Sequence, residues 1–311
     1  MNIAYSCNDS YIQQTGISMI SLFENNKDVD NINIYLISKD INENNIELLC
    51  SISDKYQRNL IVIKFEDIAF DLKLSSTGRH IETIYSKVFF SRIKGLDKVI
   101  YLDSDTIIVG SLEGLWNMPL FDVYMGVAET LPSPFREVLQ ISEDEPSFND
   151  GMALVNVSFC REHHLIEKVL KVVEKFNGAP PVLSEGALNS VCQGKVEYIS
   201  LRYNLMAGLL YFCDLDVDYM TGLLHYTKDD LIDSCKNPVV IHYLAAFYNR
   251  PWFIPCTHPY KDQFYKYKAM SPWKDVPLIR HPLPIKLRLM DKCFRWLGVS
   301  ATYKLRNLLL N

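Results

Sequence analysis

Over the first sixty-odd residues, short apolar runs alternate with stretches whose apolar positions recur at helical spacing. Residues 2–6 read as a buried strand that breaks at Cys7-Asn8-Asp9-Ser10. Residues 11–24 follow as a helix with Ile12, Gly16, Met19, Ile20 and Phe23 on one face. A second strand spans 32–37, a second helix 42–57 with Ile46, Leu49 and Ile52 turned inward, and a third strand 60–65. This β-α-β-α-β alternation predicts an α/β fold with a mostly parallel central sheet, whose ligands sit at the carboxyl ends of the strands. Residues 86–93 look helical, and 98–102 form another strand that runs into Asp103-Ser104-Asp105.

After Val109 the pattern loosens, with Gly110, Gly114, Pro119, Pro132, Pro134 and Pro146 punctuating short elements. A strand over 152–157, helices over 165–176 and 185–191, and a late strand over 239–242 remain legible. The sequence contains no internal repeat and no linker long enough to separate a pair of domains. We therefore read one Rossmann-like domain over 1–273 and a tail over 274–311.

The chain has 311 residues, 48% of them hydrophobic and 22% charged, enough to bury a large core and too apolar for a disordered protein. Its net charge of −5 is uneven. Residues 274–311 carry eight Lys and Arg against two Asp, which leaves 24 basic against 35 acidic side chains in the body. That acidic body argues against a nucleic-acid partner, because nonspecific affinity comes from neutralised phosphates. The eight cysteines have no metal-ligand spacing and read as buried small apolar residues. The first residues lack a signal-peptide pattern, and no apolar run is long enough to span a bilayer. The expected location is cytoplasmic, free or peripheral on the inner face of the cell membrane. Within the tail, Ile285, Leu289, Met290, Cys293, Phe294 and Leu297 share a helical face, with Arg288, Lys292 and Arg295 opposite. Such a helix either rests on an anionic membrane surface or packs on the body.

Chemistry concentrates at strand ends. The run Val99-Ile100-Tyr101-Leu102 delivers Asp103 and Asp105, two apart and so pointing the same way, to an exposed carboxyl end. Two such carboxylates suit one hard cation, Mn²⁺ or Mg²⁺, shared with substrate phosphates; the alternative is a solvated acidic turn. His242 also ends an apolar strand, Val239-Val240-Ile241, and is either a structural histidine or a third ligand. Just beyond it, Arg250-Pro251-Trp252 offers a guanidinium for a phosphate.

Taken in order, Asn8-Asp9-Ser10-Tyr11 after the first strand, Tyr101-Leu102-Asp103-Ser104-Asp105, Phe148-Asn149-Asp150-Gly151-Met152, and His242 with Arg250-Pro251-Trp252 resemble the family 8 glycosyltransferases. The resemblance runs from Met1 to about Trp273. It implies a GT-A fold, a UDP-sugar donor, Mn²⁺ and retention of anomeric configuration, in the manner of bacterial lipopolysaccharide hexosyltransferases and glycogenin. Asp103, Asp105 and His242 match the family's metal ligands. Ser6, Asn8, Ser10 and Tyr11 match its nucleoside contacts, with Tyr11 stacking on the uracil, and Ser104 joins the donor-binding set. Lys87 stands where an arginine is common, Asn149 lies in the sugar-binding segment, and Glu185 occupies the Gln position of an Asp-Gln-Asp-x-x-Asn element. Glu185 is thereby expected to support the transferred sugar; its other reading is an acid placed at a helix N-terminus.

Departures from the family pattern are specific. The closing motif is two residues longer than His-[Phe/Tyr]-x-Gly-x-x-Lys-Pro-Trp, with Ala245 for Gly and Arg250 for Lys. Asp150 replaces a small residue, and Ser184 and Gly186 replace carboxylates. Sugar and acceptor choice are expected in the loops of 129–148. Two other functions compete: a haloacid-dehalogenase-type phosphatase using Asp103, and a non-catalytic nucleotide-sugar-binding protein. The first lacks the Gly-Thr continuation and leaves the residue 8–11 and 242–252 groups unexplained; the second leaves three intact ligands without a purpose.

Overall fold

Strand β1 (Asn2–Asn8) buries its five central residues and has a parallel neighbour on each side. The computed structural model describes residues 1–75, 82–216 and 223–302, so Lys304 and Arg306 of the basic tail lie outside the described residues. α1 (Ile12–Asn25), β2 (Asn33–Lys39), α2 (Glu43–Lys55) and β3 (Asn59–Lys64) follow as the alternation predicts. β1 does not break at Cys7: its pairing continues through Cys7↔Ser38 and Asn8↔Lys39, which carries Asn8 to the strand's end. The turn beyond is fixed by Asp9, whose carboxylate accepts from the Asn42 backbone and from Asn45 Nδ2 at the start of α2. The stretch expected to be helical over 86–93 is a run of 3₁₀ turns from Glu82 to Arg92.

β4 (Lys98–Leu102) lies beside β1 and is followed by the three-residue β5 (Thr106–Ile108). β6 (Met125–Thr130) and β7 (Ser147–Asn156) are antiparallel partners, with a register shift between Val127 and Ala128. Next come α3 (Leu165–Lys175), α4 (Leu183–Val191) and β8 (Val196–Tyr198). The main sheet runs β3-β2-β1-β4-β7-β6-β8, and four of its six pairings are parallel, so the mostly parallel α/β expectation holds. Apolar side chains form one core on each face: Ile3, Tyr5 and Ile100 point to one, Ala4, Val99 and Tyr101 to the other. This two-sided burial is what a sheet covered by helices requires.

β9 (Leu205–Met206), α5 (Ala207–Leu215), α6 (Lys228–Lys236) and β10 (Val240–His242) complete the body; β5, β10 and β9 make a second small sheet under α1. β11 (Phe253–Ile254) pairs with β12 (Ile279–Arg280) on either side of α7 (Lys261–Ala269). Helix α8 (Ile285–Leu297) is anchored: Phe294 is 1% exposed and packs edge-on to Phe247, while Tyr211 donates to Asp291. Met290 and Phe294, two members of the apolar face read from the sequence, pack on the body, the second of the two readings of that helix. No helix among the described residues is long and apolar enough to cross a membrane.

Candidate active site

Asp103 follows β4 directly, and its backbone N–H donates to Gly151 O on β7 while its carbonyl closes a turn onto Thr106. The register of β5 against β10 sets His242 opposite Thr106, and Tyr243 N–H donates to Asp105 O, so the late strand arrives beside the early acidic turn. His242 Nε2 lies 3.1 Å from Asp105 Oδ1 and 3.7 Å from Asp103 Oδ2, and the ligand atoms of all three residues fall within 4.8 Å of one another. Ligands roughly 2.0–2.2 Å from an octahedral ion sit about 3 Å apart when adjacent and about 4.2 Å apart when opposite, so the three fit a Mn²⁺ or Mg²⁺ site.

Two further features support that fit. A Cβ built on Gly151 would lie 2.4 Å from His242 Cε1 and 2.5 Å from Asp103 Oδ2, so only glycine leaves this cradle open. The other ring nitrogen, His242 Nδ1, is 2.9 Å from Asn204 Oδ1; donating its proton there leaves Nε2 free to ligate. Asn204 Nδ2 in turn donates to Asn149 Oδ1, and Asn149 Nδ2 donates to Glu185 Oε2 at 2.8 Å. A continuous chain of hydrogen bonds thus links His242 to the carboxylate expected to face the sugar. Asn204 escapes a reading of the sequence: nothing in Leu201-Arg202-Tyr203-Asn204 marks it, since its role depends on β9 lying beside β10.

Charge in this pocket is unbalanced in the way a cation site demands. Burial pushes the Asp103 carboxyl up, opposed by Lys87 and His242. Burial also pushes Asp105 upward, but the His242 and Arg250 charges prevail and hold it at about 2. Burial alone would depress His242, yet the two carboxylates raise it. Arg250 Nη2 stands 3.3 Å from Asp105 Oδ2, so the longer closing motif still brings its guanidinium to the Asp-Asp-His cluster.

A cleft opens beside this cluster, lined by Ser6, Asn8, Tyr11, Thr83, Tyr101, Asp103, Ser104 and Asp105. Four of the expected donor-binding residues share it. Ser6 donates to Thr83 O, and Ser104 Oγ accepts from Thr15. Ser10 stands apart: it is exposed, and its hydroxyl donates to Asn8 Oδ1, which makes it a brace for Asn8.

At the other side of the cluster, Lys87 does not face the cleft freely. Its Nζ is 3.0 Å from Asp150 Oδ2 and 4.4 Å from the Tyr101 ring centre. Ser184 donates to the same Asp150 oxygen at 2.7 Å. Ser184 and Glu185 are carried by the first turn of α4, reached through Val182 and Leu183 at φ 57° and 55°. Left-handed backbone at such residues costs on the order of 1–3 kcal/mol and is retained where geometry at a site requires it. The turn is so tight that a Cβ on Gly186 would sit 1.9 Å from Pro181 O, which explains the missing family carboxylate there. Burial, then the neighbouring Asp150 charge, raise the Glu185 carboxyl to about 7 against the Asn149 hydrogen bond. The segment from Glu129 to Phe148, expected as recognition loops, begins and ends as paired strand, and Glu129 is buried with its carboxylate taking the Leu224 and His225 backbone N–H groups.

Known proteins give the family and the fold. Residues 2–254 match the family model described as glycosyl transferase family 8. The chain is 22% identical over 282 residues to a lipopolysaccharide 1,2-glucosyltransferase of Escherichia coli, covering 88% of this chain and 79% of that one. It is 18% identical over 283 residues to general stress protein A of Bacillus subtilis, covering 89% and 96%. The galactosyltransferase LgtC, solved in complex with donor and acceptor sugar analogs, superposes with a TM-score of 0.71 at 22% identity over 93% of this chain and 99% of its own, a likeness of fold. The phosphatase and non-catalytic readings fall with these matches. A GT-A-like sheet, an Asp-Asp-His cluster at its carboxyl edge and a family match over most of the sequence make this chain a member of glycosyltransferase family 8.

Proposed function

We propose that this glycosyltransferase moves a hexose from a UDP-hexose to a glycan or lipid-linked saccharide in bacterial surface-polysaccharide synthesis, with Mn²⁺ or Mg²⁺ and with retention of anomeric configuration. The observation that carries this reading is the Asp103-Asp105-His242 cluster, beside the cleft of Asn8 and Tyr11 and linked through Asn204 and Asn149 to the half-buried Glu185. The relatives' names, a glucosyltransferase acting on lipopolysaccharide and a galactosyltransferase, support a hexose and a surface glycan.

In this reading Tyr11 stacks on the uracil, and Asn8, braced by Ser10, holds the nucleoside with Ser6 and Ser104. Arg250 offers paired donors to the diphosphate. Asp103, Asp105 and His242 would hold a divalent cation, which when bound would supply Lewis-acid stabilisation of the charge on departing UDP. The acceptor hydroxyl attacks from the face that UDP leaves. Glu185, kept in place by Asn149, supports the oxocarbenium-like sugar with its ionised carboxylate. The test is UDP release from UDP-hexose with saccharide acceptor, with Mn²⁺ and with EDTA, in wild type and Asp105→Asn. Release that is metal-dependent and lost in the variant is expected; metal-independent release equal in both would refute the reading.

The same reading sets the enzyme on an anionic membrane surface through the solvent side of α8, which keeps Ile285 and Leu289 of the apolar face read from the sequence and adds Trp296. Opposite the buried Phe294, Trp296 is 91%, Ile285 67% and Leu289 56% exposed, and Lys286, Arg288 and Lys292 surround them. Apolar anchors ringed by cations suit the headgroup region of acidic lipids. Trp296→Ser is expected to keep the thermal midpoint and lose sedimentation with phosphatidylglycerol vesicles; equal sedimentation of both proteins would end the idea.

A further inference from the structure

Cys213 and Cys235 depart from the expectation that the cysteines are buried apolar residues: both are half-buried, one near the end of α5 and the other near the end of α6. Helix geometry brings their thiols together. Cys213 Sγ lies 3.7 Å from Leu231 O, the carbonyl one turn before Cys235 on α6. A helical side chain leans back over the turn that precedes it, so the Cys235 thiol covers that same spot. The two thiols accordingly hydrogen-bond to each other.

The pair suits exchange chemistry better than metal. Two thiols without a third ligand do not make a zinc site, and the metal-ligand group among the described residues is Asp103, Asp105 and His242. The hydrogen bond from Cys235 lowers the Cys213 thiol, against burial and the Asp214 charge, with Lys236 adding a smaller pull the same way. The same bond, and then burial, raise Cys235. One sulfur thus ionises first while its partner stays protonated beside it, as an attacking and a resolving cysteine require. Both helix ends also hold the segment that follows His242: Tyr248 donates to Asp214, next to Cys213, and Tyr260 donates to the Cys235 carbonyl.

We propose that Cys213 and Cys235 are a redox modification site, a reversible disulfide made by exchange with a small disulfide such as oxidised glutathione, which fastens α5 to α6 where they hold Tyr248 and Tyr260. The Cys213 thiolate attacks one sulfur of the small disulfide and expels a thiolate, leaving a mixed disulfide. Cys235 then attacks Cys213 Sγ and expels the second small thiolate. Each expelled thiolate takes up the proton that a protein cysteine has given up, so two protein thiols are oxidised and one small disulfide is reduced to two thiols. In a reducing compartment such a bond is transient and responsive to the thiol pool.

The test is incubation of the folded full chain in glutathione at stepped ratios of oxidised to reduced form, followed by alkylation, digestion without reduction and mass spectrometry. A Cys213–Cys235 crosslinked peptide is expected, rising with the oxidised form and lost in dithiothreitol, while the buried Cys7, Cys160 and Cys192 stay free. Cys235→Ser is expected to stop at glutathione on Cys213. The oxidised wild type should melt about 5 °C above its reduced form, a shift absent from the variant. No crosslink in the folded protein, or glutathione held on both cysteines without resolution, would overturn the proposal. So would a crosslink that forms only after unfolding in urea, or one that leaves the melting temperature unchanged.

Discussion

Gly151 is the residue at which the site tolerates least. Any side chain there meets His242 and Asp103 at under 3 Å, so Gly151→Ala is expected to cut Mn²⁺ affinity at least tenfold, measured by titration calorimetry, with the fold retained by circular dichroism. Asn204→Ala is expected to cost about 10- to 100-fold in the same affinity, because the His242 ring loses the partner that fixes its proton on Nδ1. Glu185 makes a prediction with a defined sign. Its carboxyl stands at about 7 when folded, raised by burial and Asp150, against about 4.3 in an unfolded chain. The folded protein therefore holds a proton that the unfolded chain has already lost, and stability falls as pH rises from about 4 to about 7. Metal-free wild type should lose up to about 3 kcal/mol relative to Glu185→Gln across that interval, read from thermal midpoints at pH 5 and 8. Parallel midpoints would show that the carboxyl is not held neutral. The same variant should lower turnover by about 100-fold if the ionised carboxylate supports the sugar.

At the scale of elements, legibility tracks how local the cause of each element is. β1, α1, β2, α2 and β4 declare themselves because each buries residues whose pattern is written in consecutive positions, whereas the edge strand β3 shows only as an apolar run, none of its residues being buried. β10 ends in His242 for the same reason. β7 is different: it begins at Ser147, five residues before the strand read from sequence, so Phe148 and Asn149 pair with Glu129 and Ala128 of β6, and Asp150 and Gly151 lie in the register shift that follows. Pairing with β6 on that side overrides a poor local β propensity, and it is this pairing that aims Asn149 and Asp150 into the site. The proposed metal ligands Asp103, Asp105 and His242 are legible as types at strand ends. Their support is not, because Asn204, the Lys87–Asp150 pair and the strained entry to α4 exist only through contacts distant in sequence. α8 likewise divides between readings, since its body-facing side is set by Phe212 and Phe247 rather than by its own pattern. Phe294→Ala should destabilise the protein by about 3–5 kcal/mol, measured by denaturant unfolding, as expected for emptying a buried aromatic site.

For the whole molecule, the net charge of −5 hides an acidic catalytic body and a basic terminal segment with exposed Trp296, Ile285 and Leu289. An acidic body has no affinity of its own for acidic lipid, so vesicle binding should depend on the terminal helix and weaken with salt over the range where surface charges are screened. In the proposed reaction, Asp103, Asp105 and His242 would hold the cation at the carboxyl edge of the sheet, and the cation would supply Lewis-acid stabilisation to the departing diphosphate. The direct measurement is UDP release from UDP-hexose by EDTA-treated enzyme as Mn²⁺ is restored, in wild type and His242→Ala. Release that is absent in EDTA, recovers on titration with Mn²⁺ in wild type and fails to recover in the variant is the expected result. Full release in EDTA, or identical recovery in both proteins, would contradict the assignment of Asp103, Asp105 and His242 as the metal site of a sugar-nucleotide transferase.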